Sequence, residues 1–224
     1  MSTVLVVGAS RGIGLEFARQ YAADGARVIA THRSPAAAAP LRALGAKPVA
    51  LDLLDEHALA GFTDQLAGEK IDIMILSAGL YGPRTSAISA PGGLDFDAVM
   101  QTNVRAPMQL IAMLAPNLVA ARGKLAVISS RMGSISLMTS TAGWLYRASK
   151  AAVNSALRST SLELGPQGVV CIAFHPGWVR TDMGGAGADI DASASVSGMR
   201  RVLATANDSS NGKFLNYNGE QLAW

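Results

Sequence analysis

The chain has 224 residues, 50% of them hydrophobic and 16% charged, which is enough apolar material for a buried core and too little charge for a disordered chain. The formal net charge of +3 comes from basic residues scattered along the sequence, so no run of like charge reads as a nucleic-acid patch. The small positive excess favours an anionic ligand.

Short β-branched runs alternate with longer stretches of helical period. Residues 3–8 read as an apolar strand, and 12–24 as a helix with Ile13, Phe17 and Tyr21 on one face. A second strand at 26–31 leads into an Ala-rich helical stretch at 35–44. A third strand is expected at 47–53, a helix at 56–66 and a fourth strand at 71–77. The segment 80–93 holds Gly and Pro and reads as loop. Residues 96–121 are helical with a break expected near Pro107, and 124–130 form a fifth strand. A long helix lies within 141–164, followed by a sixth strand at 169–174, a helix at 191–206 and a short strand at 213–218.

Strands apolar on both faces, alternating with helices, predict an α/β fold: a Rossmann-like doubly wound parallel sheet of about seven strands with helices on both faces. One domain spanning 1–224 is expected, with its ligand crevice beyond the carboxyl ends of the strands. The single cysteine, Cys171, sits in an apolar run and reads as a small buried residue. The N-terminal apolar stretch is too short for a signal peptide, and no apolar run reaches the roughly 18 residues of a membrane span. These features point to a soluble, cytoplasmic protein without a nucleic-acid or membrane partner. The histidines His32, His57 and His175 have no metal-ligand spacing, and no Gly-x-Ser-x-Gly elbow is present.

The first strand runs into Gly8-Ala9-Ser10-Arg11-Gly12-Ile13-Gly14. Glycines at this position let the backbone turn sharply, approach a phosphate and pack the helix on the sheet, while the helix N-terminus offers free N–H groups. The alternative is a tight turn with no ligand. Further on, Tyr146 and Lys150 stand four apart, so a helix brings both to one face. A phenol ionises near pH 10. Bringing that value to neutrality takes about 4 kcal/mol of differential stabilisation, which nearby positive charge can supply. Pro107 lacks an N–H and cannot bond the Asn103 carbonyl four residues back, which frees that carbonyl to hold a water.

The glycine turn and the Tyr146-Arg147-Ala148-Ser149-Lys150 run, following a strand that ends in Ser129-Ser130, resemble the short-chain dehydrogenase/reductase family over nearly the whole chain. The resemblance implies hydride transfer between a nicotinamide and a carbonyl or alcohol carbon. Asn103, Ser130, Tyr146 and Lys150 would be the catalytic set. Gly8, Ser10, Arg11, Gly12, Ile13 and Gly14 would cradle the dinucleotide, with Asp52 and Leu53 at the adenine and Ala78 and Gly79 beneath the cofactor. Asp52 also reads as a cap for the helix that follows. Pro176, Gly177, Val179 and Thr181 would meet the nicotinamide, with Lys150 on the ribose. Ser130 is selected over its neighbour Ser129, and Ser134 is a lesser candidate. Val7 stands where the family has a bracing Thr, and Ser77 where it has Asn. No acid follows the second strand at His32, while Arg33 and Arg11 suit a 2′-phosphate, so NADP(H) is expected over NAD(H).

The runs Arg131-Met132-Gly133-Ser134-Ile135, Thr181-Asp182-Met183-Gly184-Gly185 and Phe214-Leu215-Asn216-Tyr217-Asn218-Gly219 are similar to the Sniffer/C-factor-type carbonyl reductase subgroup, which implies a compact substrate lid at 182–197. The same resemblance implies a homodimer or homotetramer built on the helices at 103–121 and 146–164. Two other readings remain: a dinucleotide-binding signalling or redox-sensing protein of C-factor type, and an epimerase or dehydratase using the same tyrosine.

Overall fold

A computed structural model describes residues 1–224. Seven strands, β1 (Thr3–Val7), β2 (Arg27–His32), β3 (Lys47–Ala50), β4 (Ile73–Leu76), β5 (Lys124–Ile128), β6 (Val170–His175) and β7 (Lys213–Asn216), form one parallel sheet in the order β3-β2-β1-β4-β5-β6-β7. The strand order reverses between β1 and β4, which opens a crevice beyond their carboxyl ends. Seven α-helices accompany the sheet: α1 (Gly12–Ala23), α2 (Ala38–Ala43), α3 (Glu56–Asp64), α4 (Gly93–Met100), α5 (Ala106–Ala121), α6 (Trp144–Leu164) and α7 (Ala192–Thr205).

Side-chain alternation along the strands divides the core into two layers. Leu5, Val7, Leu125 and Val127 face a cluster built by α3, α5 and α6, including Phe62, Leu114 and Leu157. Val4, Val6, Ala126 and Phe174 face the opposite cluster, with Phe17 of α1, Leu41 of α2 and Met199 of α7. Cys171 lies fully buried in the first layer, and burial pushes its thiol up to about 12, so it packs as an apolar residue.

The break expected at Pro107 takes another form. Gln101–Arg105 widens into a π-helical turn, and the Ala106 N–H reaches back five residues to the Gln101 carbonyl. The wider turn, one turn before the proline, gives room for a ring that has no N–H and crowds the preceding carbonyls. The helical stretch Gly93–Ala121 runs 29 residues and is long and apolar enough by composition to cross a membrane, although polar residues interrupt it. Its side bearing Leu110, Leu114 and Leu118 packs on the sheet as a core helix does. Within 182–197, residues 192–197 form the first turns of α7, whose Ser195 and Val196 are fully buried, so the irregular segment ends by Asp191.

Candidate active site

At the β1–α1 turn the glycines answer to protein atoms first. Gly8 has φ +84°, and a Cβ there would lie 2.7 Å from the Ala78 backbone, while one at Gly14 would overlap the Gly8 carbonyl oxygen. A Cβ on Gly12 would stand 3.3 Å from the Thr181 methyl, which brings the turn against the 176–181 segment. Gly8 N–H donates to Thr31 Oγ1 at 3.0 Å. The brace lost at Val7 is thus supplied from β2, by a residue the sequence reading passed over. Arg11 is the N-cap of α1, extended and making no side-chain cap bond, so the first-turn N–H groups stay free for an anion.

Around the far end of the crevice, Arg33 is exposed and makes no ion pair. Arg11 pairs with Asp182 at 2.6 Å, but both side chains are 73% exposed, so the pair holds Arg11 weakly and leaves it exchangeable. His32 is buried, with Nδ1 3.0 Å from the Ser34 carbonyl. Asp52 is not the cap of α3. Its carboxylate accepts from Leu54 N–H, and Asp55 takes the cap by accepting from His57 and Ala58. The Asp52 side chain is therefore held in a short turn before the helix, with Leu53 half-buried beside it.

Tyr146 and Lys150 lie on one face of α6, both buried, with Lys150 Nζ 5.6 Å from the phenol ring centre. Lys150 Nζ donates to the Ile128 carbonyl at 2.8 Å, and a Cβ on Gly79 would stand 3.5 Å from it. Burial pushes Lys150 down to about 8. The phenol in the protein alone lies on the other side of its ordinary value from the lowered pKa expected with a bound nicotinamide. Burial pushes Tyr146 up to about 12, against the smaller downward pull of the Ser130 hydroxyl. Desolvation outweighs the pull of Ser130, and the charge of Tyr81 adds to it, so in the protein alone the phenol holds its proton.

Ser130 follows β5 and its hydroxyl also accepts from Met132 N–H at 3.1 Å. Ser129 points the other way and donates to Asn154 Oδ1 at 2.5 Å. Ser134 is fully buried and donates to the Ala223 and Trp224 carbonyls, away from the phenol. Asn103 acts through its side chain. Oδ1 accepts from Leu80 N–H at 2.7 Å, while Nδ2 donates to the Leu80 carbonyl at 2.7 Å and to Ser149 Oγ at 2.9 Å. Ser149 Oγ in turn donates to the Tyr146 carbonyl at 2.8 Å. Asn103 therefore ties the segment after β4 to the helix that carries Tyr146 and Lys150, and Lys150 does not bond the Asn103 carbonyl directly.

Pro176 and Gly177 turn the chain after β6, Ser195 Oγ donates to the Pro176 carbonyl at 2.6 Å, and a Cβ on Gly177 would lie 2.7 Å from Ile190. Val179 is buried and pairs with Ile190 in an isolated bridge, while Thr181 Oγ1 accepts from Gly184 N–H at 3.1 Å. Trp178 is 54% exposed, with its indole N–H donated to the Gly184 carbonyl. A cavity of about 430 Å³ lies between this turn and the β7 end, lined by Arg131, His175, Trp178, Ile190 and Tyr217, and apart from Ser130 and Tyr146. Burial, with a contribution from Arg131, pushes His175 down to about 4, so its ring is neutral.

The uncapped start of α1, the glycine-lined turn beside Ala78 and the ammonium of Lys150 next to Gly79 fit a dinucleotide lying along the crevice. A model of the short chain dehydrogenase family matches residues 2–189. The C-signal of Myxococcus xanthus is 36% identical over 170 residues, covering 74% of this chain and all of that protein. The carbonyl reductase Sniffer of D. melanogaster superposes with a TM-score of 0.89 at 28% identity, each chain fully covered. A carbonyl reductase from Pseudomonas aeruginosa PAO1 in complex with NADP gives a TM-score of 0.86 at 34% identity, again over both whole chains.

Proposed function

The chain belongs to the short-chain dehydrogenase family, and from that premise we propose that it is an NADP(H)-dependent carbonyl reductase acting on small aldehydes, ketones or the corresponding alcohols. The observation that carries this reading is the buried phenol of Tyr146, kept protonated between Ser130 and Lys150. A bound nicotinamide dinucleotide supplies the hydride to the carbonyl carbon. Ser130 donates a hydrogen bond to the carbonyl oxygen and stabilises the charge that develops there. Tyr146 gives its phenolic proton to the same oxygen. Lys150 steadies the phenolate that results and offers its ammonium to ribose hydroxyls.

Gly8, Ser10, Gly12, Ile13 and Gly14 hold the diphosphate against the start of α1. Arg33 and Arg11 take the 2′-phosphate, and the NADP bound to the Pseudomonas relative supports that choice. Asp52 and Leu53 border the adenine, Ala78 and Gly79 underlie the cofactor, and Pro176, Gly177, Val179 and Thr181 fix the nicotinamide amide. Asn103 holds the architecture around Lys150. Segment 182–190 covers the substrate as a lid on a single domain. Met108 and Met113 of α5 and Leu162 of α6 are exposed, which supports pairing of two copies through these helices. The compartment proposed for the protein is the cytoplasm.

The test is NADPH oxidation over a panel of aldehydes, ketones and diketones, repeated with NADH. Turnover with NADPH and little with NADH supports the reading, and absence of turnover across the panel contradicts it. The similarity to a C-signal favours a second reading, a signalling protein that uses the dinucleotide as a ligand. Retained signalling activity in Tyr146→Phe would select it.

A further inference from the structure

Tyr81 lies in the Gly- and Pro-containing segment after β4. Its ring stacks on the ring of Tyr146, centroids 4.7 Å apart and planes 21° from parallel. The Arg84 guanidinium sits over the Tyr81 ring, 4.8 Å from its centre. Arg84 also donates from Nη2 to the Met183 carbonyl at 2.7 Å, inside the 182–190 segment. The order guanidinium, Tyr81, Tyr146 therefore runs from the segment over the site to the phenol itself.

Tyr81 is gripped from several sides. Asn103 clamps the N–H and carbonyl of Leu80, the residue before it. Gly143, at φ +64°, lies under the Tyr81 hydroxyl, where any Cβ would overlap it, and Gly143 N–H donates to the Thr85 carbonyl at 3.0 Å. A Cβ on Gly82 would stand 2.6 Å from Val99. Such a position is held by backbone and packing on both flanks, so the ring has one place to lie. Stacked aromatic pairs stabilise beyond their area burial, and a guanidinium over a ring adds to that.

We propose that Tyr81 is a positioning residue for the Tyr146 phenol, and that Arg84 couples this positioning to closure of the 182–190 segment through its bond to the Met183 carbonyl. The proposal rests on Tyr146 being the proton donor. When the segment is seated, Arg84 is anchored and the stack is complete, so Tyr146 keeps one orientation and a dry face. When the segment lifts, Arg84 loses its anchor and Tyr81 its outer layer. The direction of the effect on the phenol follows from the surroundings. Burial raises the Tyr146 pKa, and Tyr81 raises it further by charge. Removing the Tyr81 ring exposes the phenol and moves its titration downward.

Tyr81→Leu, Tyr81→Phe and Arg84→Met are compared with the unaltered protein by steady-state reduction of a carbonyl substrate. Each is also titrated without nucleotide by phenolate absorbance, with Tyr146→Phe as the blank. Tyr81→Leu is expected to lower kcat roughly tenfold to a hundredfold, with NADPH affinity unchanged and the Tyr146 midpoint moved down. Tyr81→Phe keeps the ring and restores most of kcat. Arg84→Met, at an exposed residue whose loss does not threaten the fold, gives a smaller fall in kcat and a rise in carbonyl KM. An unchanged kcat and midpoint in Tyr81→Leu, or equal losses in Tyr81→Leu and Tyr81→Phe, would overturn the role of the ring. An unchanged kcat and KM in Arg84→Met would overturn the coupling. If the unaltered protein reduces no carbonyl, the proposed activity fails, and the absorbance titration alone decides whether Tyr81 governs the phenol.

Discussion

Replacing Lys150 with Met should make the nucleotide-free protein more stable while removing its activity. The ammonium is buried, and desolvation lowers its pKa from 10.5 to about 8. At neutral pH that difference is a cost of about 3 kcal/mol carried by the folded state. One hydrogen bond, to the Ile128 carbonyl, offsets part of it and contributes about 1 kcal/mol. A methionine has similar length and no charge, so the net gain is about 2 kcal/mol, or about 4–8 °C in Tm for a chain of this size. The pH dependence is a sharper test. Between about 8 and 10.5 the unfolded chain keeps the lysine proton that the folded chain has shed, so stability rises with pH across that window. The raised Cys171 thiol gives the opposite trend from about 9 and the raised Tyr146 from about 10, each lost as pH passes through about 12, and because both proteins share these two groups the difference between their curves isolates the lysine. Thermal denaturation by circular dichroism at stepped pH values, on both proteins without nucleotide, reads the difference. A lower Tm in Lys150→Met at neutral pH, or the same rise with pH in both proteins, would refute the reasoning.

Arg33→Ala should weaken NADPH binding about tenfold or more, the worth of a charge-assisted hydrogen bond, while leaving NADH affinity alone in a fluorescence titration. Asn103→Ala removes three hydrogen bonds from a residue that is 1% exposed and should cost about 3 kcal/mol, seen as a Tm about 6–12 °C lower. Gly14→Ala drives a Cβ into the Gly8 carbonyl and should cost about 2–3 kcal/mol and weaken nucleotide binding, both visible in melting curves with and without NADPH.

The layered sheet was legible in the residues because a strand buried on both faces must be apolar throughout, and a helix must repeat its apolar positions about every fourth residue. The pairing of Tyr146 with Lys150 on one face followed from helical spacing alone. Other features depend on contacts between distant parts of the chain, which local pattern does not carry. Tyr81 meets Tyr146 because a Gly-Pro loop folds back over α6, and a single tyrosine in a loop has no periodicity to mark it. The side-chain role of Asn103 was hidden in the sequence, because its partners Leu80 and Ser149 lie on other elements, whereas the carbonyl facing Pro107 could be picked out from the spacing alone. The state of Tyr146 turned on burial, and depth in a core is not a property of the neighbours in sequence. Asp52 and Asp55 are equally good caps by type, and only the backbone direction after β3 gives the role to Asp55.

The central claim is that the Tyr146 phenol passes its proton to the carbonyl oxygen. Single-turnover NADPH oxidation with a reactive diketone, run on the unaltered protein and on Tyr146→Phe after matching their nucleotide saturation, tests it directly. The account predicts that the phenylalanine protein binds NADPH equally well and oxidises it about a hundredfold to ten-thousandfold more slowly. Equal rates in the two proteins would contradict it.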